Sequence, residues 1–146
     1  MFFCARHSIE LLLKALIKEI GRLNDSRIGI RNEKKIRGHN LKELREQLEK
    51  LILVTDRRIK TEYDKLDVKN LLSFFETYDP SSLTFRYSDM KKDQNCLGTV
   101  LNIVQPNNDY QMLFLYLDWI QDVVSECRAE YATGTFTDIL SRNDLE

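Results

Sequence analysis

Apolar residues recur along this chain at helical spacing in four separate stretches. In the first, Ile9, Leu12, Leu13, Leu16, Ile17 and Ile20 fall on one face and predict a helix over 2–23. Beside that face runs a polar file, Arg6, Glu10, Lys14 and Lys18, at strict four-residue spacing. Gly38-His39-Asn40 breaks the chain and restarts it. Asn40 has the side chain of an N-cap, and Glu43 three residues on fits a capping box. Leu41, Leu44, Leu48, Leu51, Ile52 and Thr55 form the inward stripe of a second helix. Residues 57–65 are polar and read as a connector, or as an extension of either neighbouring helix. Asp67 caps a third helix carrying Val68, Leu71, Leu72, Phe75 and Tyr78, which Asp79-Pro80 ends because proline disfavours a helical residue before it.

The pattern then changes period. Residues 83–87 alternate apolar and polar, and 99–104 are rich in β-branched residues, so a short extended segment or β-hairpin is expected there. Pro106-Asn107-Asn108-Asp109 opens a last helix. Its core stripe is Leu113, Leu117, Ile120, Val124 and Cys127, with Tyr110, Phe114 and Trp119 adding bulk, and it fades at Thr133-Gly134. Phe136, Ile139 and Leu140 give the tail a means of docking. The expected fold is all-α: an antiparallel, up-and-down bundle of four to five helices, with the extended insertion before the last long helix.

Composition narrows the class. The 146 residues suffice for one domain with a single core, and the scarcity of glycine (5) and proline (2) favours helices. The pattern over 1–146 reads as a single domain, and the first helix, which begins almost at Met1 without a capping residue, leaves open that it is a fragment of a longer parent chain. A net charge of −1 excludes a uniformly basic nucleic-acid-binding surface, although 24–38 forms a local basic run. Cys4, Cys96 and Cys127 are odd in number and scattered, which argues against a disulfide framework and suits a reducing compartment. No apolar run approaches the roughly 20 residues of a membrane span. The opening residues lack a charged n-region. A cytoplasmic protein with no membrane association is expected.

Few residues carry chemistry. The only histidines are His7 and His39. His7 shares a helical face with Glu10 and Lys14, and His39 lies just before the second helix, where its ring can bond back to the first. An i,i+4 charge file contributes about 0.2–0.5 kcal/mol per pair on an open surface. The three consecutive leucines 11–13 widen the apolar arc, which puts Glu10 and Lys14 at its buried edge. In Phe85-Arg86-Tyr87, Arg86 with Tyr87 could face an anion or a base, or Arg86 could pair with a carboxylate such as Asp79 or Asp89. The candidate polar cluster is therefore Arg6, His7, Glu10, Lys14, His39, Arg86 and Tyr87. Metal-ligand spacing, phosphate-cradling glycine loops and nucleophile-elbow motifs are all absent from the sequence, so neither metal nor cofactor is expected.

Three pieces together resemble one superfamily. Arg6-His7-x-x-Glu10-x-x-x-Lys14-Ala15-Leu16, Gly38-His39-Asn40-Leu41-x-x-Leu44 and Asp79-Pro80 with Phe85-Arg86-Tyr87 resemble the HEPN domains of prokaryotic proteins. That resemblance covers most of the chain. It implies an antiparallel helical bundle, frequent homodimerisation, and a setting in toxin–antitoxin systems, phage defence or RNA metabolism. HEPN ribonucleases carry an arginine followed four to six residues later by a histidine on a late helix. Here the last helix has Arg128 and no histidine follows His39, so the nuclease residues do not carry over and no catalytic residue is assigned. The expectation is a non-catalytic module for dimerisation, ligand sensing or RNA association, with RNA or a nucleotide as candidate ligand and a protein or parent-chain domain as candidate partner. The first alternative is a metal-independent ribonuclease with an atypical site, His7 or His39 acting as general base and Arg6 or Arg86 stabilising the phosphate charge. The second is a purely structural scaffold.

Overall fold

The computed structural model describes residues 2–28, 36, 38–78 and 104–134. Five helices form the described part: α1 (Phe2–Ile28), α2 (Leu41–Ile52), α3 (Arg57–Asp64), α4 (Val68–Tyr78) and α5 (Val104–Thr133). Among the described residues there is no strand, and the fold is the all-α bundle expected from the apolar spacing. None of these helices is long and apolar enough to cross a membrane.

The first and last helices make the core. Ile9, Leu13, Leu16 and Ile20 of α1 are fully buried, as are Leu113, Leu117, Ile120, Val124 and Cys127 of α5. Among the described helices the α1–α5 interface is the largest and α1–α2 is next. Leu41, Leu44 and Leu48 close the core from α2, Ile59 from α3, and Leu72 and Phe75 from α4. Burial and the nearby Asp56 carboxylate push the Cys127 thiol up to about 11, so it stays protonated and packs as a small apolar group.

One connection departs from the up-and-down expectation. His39, just before α2, hydrogen-bonds Glu10 near the start of α1, and Asn24 near the end of α1 donates to the Leu51 carbonyl at the end of α2. Both ends thus match in the same sense, and α2 runs parallel to α1. Residues 29–40 can reach about 40 Å, enough to return along the roughly 27 Å of helix between Asn24 and Arg6. By contrast α3 lies antiparallel to α5: Arg58 pairs with Glu130, while the Glu62 carbonyl accepts from Tyr116.

Element bounds also differ. α1 continues past 23 to Ile28. The polar stretch 57–65, expected as a connector, contains a helix of its own, capped by the Asp56 carboxylate accepting from the Arg58 amide at 2.8 Å. Only Ile59 and Tyr63 of α3 point inward, which is too few for periodicity to register. α5 begins at Val104, ahead of the expected turn, because Pro106 falls in its first turn, where a missing N–H costs no helical bond. The Asp67 cap of α4 is as expected, its carboxylate accepting from Asn70 at 3.0 Å. The extended segment or hairpin expected over 83–87 and 99–104 lies outside the described residues except at its end, where Val104 is helical and begins α5. The docking tail at Phe136, Ile139 and Leu140 also lies outside them. Truncating Leu117 to alanine should cost about 2–5 kcal/mol, read from denaturant unfolding followed by helical circular dichroism.

Candidate functional site

Glu10 sits on the inner edge of α1 with 1% of its side chain exposed. A carboxylate so buried stays ionised only if donors replace its water. Three do. Arg6, one turn earlier and fully buried, donates from Nη1 to Oε2 at 2.7 Å. Lys14, one turn later, donates from Nζ to Oε1 at 2.7 Å. His39 Nδ1 lies 2.6 Å from the same Oε1. Burial pushes the Glu10 carboxyl up, but the hydrogen bonds from Lys14, Arg6 and His39 outweigh it and hold its pKa at about 2. An ionised carboxylate only accepts, so His39 carries its proton on Nδ1.

The arginine has a second task. Its other amino group, Nη2, donates to the His39 backbone carbonyl. One planar guanidinium thereby grips both a side chain of α1 and the main chain entering α2, a reach a lysine point charge could not match. Three successive residues prepare that entry. Gly38 has φ of +97°, a conformation that L side chains rarely adopt. A Cβ there would meet nothing nearer than Glu43 at 3.8 Å, so the glycine is required by the backbone angle rather than by space. His39 then turns onto Glu10. Asn40 caps α2, its Oδ1 accepting from the amides of Lys42 at 3.0 Å and Glu43 at 3.3 Å, and Leu41 enters the core.

Of the candidate polar residues, the structure thus brings Arg6, Glu10, Lys14 and His39 into one cluster. His7 follows Arg6 on α1 and is half-buried. Lys18, at the end of the file, is exposed. Arg86 and Tyr87 lie outside the described residues, so the convergence of Arg86 with the histidines stays an expectation. The cluster's outer member is His39, whose side chain is 64% exposed. Beside Asn40 opens a groove of about 600 Å³ whose charged lining is Lys42, Lys69, Asp67 and Glu76, two of each sign. Among the described residues no group of three or more His, Cys, Asp or Glu side chains is arranged to hold a metal ion.

A second buried ion group went unread in the sequence. Arg45, nearly buried, donates from Nε to Glu76 of α4 at 3.0 Å and from Nη1 to Glu49 at 3.0 Å. Burial lowers the Arg45 pKa, and the bonds to Glu76 and Glu49 outweigh it and raise it. Its signal is positional: Arg45 directly follows the core residue Leu44 and lies one turn after Leu41, at the margin of the stripe.

No family model, curated protein or solved structure matches the chain.

The ion cluster has a definite pH signature. Glu10 titrates at about 2 when folded and 4.5 when free. Its stabilisation is complete above the free value, declines as pH falls from there toward 2, and is lost below. That span is worth on the order of 3 kcal/mol. Glu10→Gln should therefore lose stability at pH 7 and flatten the acid limb of a pH–stability curve measured by thermal unfolding. Gly38→Ala should cost about 1–3 kcal/mol through backbone strain and loosen the His39 contact, seen as faster amide exchange at the start of α2.

Proposed function

We propose that this chain is a non-catalytic HEPN-like helical domain of the bacterial cytoplasm, which works as a homodimerising, RNA-associated module in a defence, toxin–antitoxin or stress system. The observation that carries the reading is the saturation of Glu10. Both of its oxygens are engaged, by Arg6, Lys14 and His39, and the most deeply buried of those partners is spent on holding α2. A general acid or base needs a proton it can exchange with a substrate, and this carboxyl stays ionised far below neutral pH. The residues of the resemblance, Arg6, Glu10, Lys14 and Gly38-His39-Asn40-Leu41, thus act on helix placement. The two described cysteines are free thiols, consistent with a reducing compartment. For self-association, Met112, Leu115 and Trp119 on successive turns of α5 are each more than half exposed, an apolar face that a second copy can cover.

A specific feature favours the ribonuclease as second reading. His39 is oriented by a carboxylate through Nδ1, and in the neutral ring Nε2 then carries the free lone pair. Orientation of this kind also serves general bases. One experiment separates the two. Purified protein is incubated with labelled single-stranded RNA without divalent metal, beside His39→Ala, while light scattering reports the assembly of wild type and Leu115→Asp. The expected result is no cleavage, RNA retention by wild type in a gel-shift assay, and a dimer that Leu115→Asp converts to monomer. Cleavage lost in His39→Ala would establish the ribonuclease instead, and a monomeric wild type would refute the dimer.

A further inference from the structure

The C-terminal half of α1 meets the α2–α3 turn through polar groups that the cluster at Glu10 does not involve. Asn24 is 5% exposed, Thr55 8% and Asp56 3%. Each has one buried oxygen without a hydrogen-bond partner among the described residues: Asn24 Oδ1, Thr55 Oγ1 and Asp56 Oδ2. Neither planar group can simply turn to find one, because its other end is already fixed. Asn24 Nδ2 donates to the Leu51 carbonyl at 3.2 Å. Asp56 Oδ1 accepts from the Arg58 amide at 2.8 Å. The Leu51 carbonyl also accepts from the Val54 amide, and the Thr55 amide bonds back to Ile52, so Asn24 is anchored on the same short turn that carries Thr55 and Asp56. Bare buried oxygens are costly, and native folds rarely leave them so.

We infer that Asn24, Thr55 and Asp56 enclose one ordered water molecule that joins α1 to the α2–α3 turn. The donor and acceptor count selects that ligand. The amide oxygen and the carboxylate oxygen only accept, whereas the threonine hydroxyl can donate. A water donates one proton to Asn24 Oδ1 and the other to Asp56 Oδ2, and accepts from Thr55 Oγ1. Those three bonds are the usual complement of a buried water. A cation fits less well. The Arg58 side chain, 3.4 Å from the other oxygen of Asp56, already supplies the compensating positive charge. Three oxygens also fall short of the six or more that calcium or magnesium takes. The water makes the α2–α3 turn part of the α1 surface, completing at this end the attachment that Arg6 and Glu10 make at the other.

The test is a high-resolution crystal structure of the chain, together with water-selective nuclear Overhauser spectroscopy in solution. The expected result is one density peak within hydrogen-bond distance of all three oxygens, and a long-lived water signal at the Thr55 amide. Thr55→Val combined with Asn24→Leu should remove that signal while helical circular dichroism is retained. Direct bonding among the three side chains, or a water signal that persists in the double variant, would overturn the inference. So would an anomalous peak at the site after a rubidium or thallium soak, which would assign it to a monovalent cation.

Discussion

A carboxylate that has lost its water must be surrounded by donors, and in this protein the surrounding of Glu10 determines how the first two helices meet. Two of its three donors come from α1 itself, at the four-residue spacing a helix supplies for free. The third cannot, and it comes from His39, 29 residues away in the chain. Satisfying Glu10 therefore brings a distant segment back to the start of α1. Gly38 provides the backbone angle for that return, Asn40 the cap that starts α2, and Leu41 the first core contact after it. The parallel course of α1 and α2 follows: α2 must begin where Glu10 is.

The same device recurs elsewhere at lower burial. Arg45 links α2 to α4 through Glu76, Arg58 links α3 to α5 through Glu130, and Arg128 links α5 to α1 through Glu19. The last two pairs are substantially exposed and contribute little to stability. Arg45 resembles Glu10 more closely, a buried charge whose loss of a partner would be expensive and whose chief effect is to fix which helix faces which. Leucine and isoleucine supply most of the core and would tolerate several registers, and the buried ions reduce that choice.

Much of this was legible in the residues. The apolar spacing located α1, α2, α4 and α5 and most of the core, since a helix face that must be buried writes itself at three- and four-residue intervals. The caps at Asn40 and Asp67 were equally plain, because a short polar side chain before an apolar run has few other uses. The junction between Glu10 and His39 was also readable from the two motifs side by side. The course of α2 was not: residues 29–40 are long enough to turn back or to return alongside, and only the contacts at both ends decide. α3 escaped because two inward residues make no pattern, and Arg45 because a charge beside a leucine stripe reads as surface until its carboxylate partner from α4 is seen.

The pairing of the first helix with the last has a consequence for how the protein is made. Glu19 and Arg128 meet across 109 residues of chain, and the apolar face of α1 from Ile9 to Leu23 is shared between α5 and α2. At translation rates of about 5–20 residues per second, α1 leaves the ribosome roughly 5–20 s before its main partner does. Through that interval the part of its apolar face that α5 covers in the finished fold stays open on the nascent chain, even once α2 has docked. That strip of the early helix is therefore the surface of this bundle that a nascent-chain chaperone has the longest time to meet.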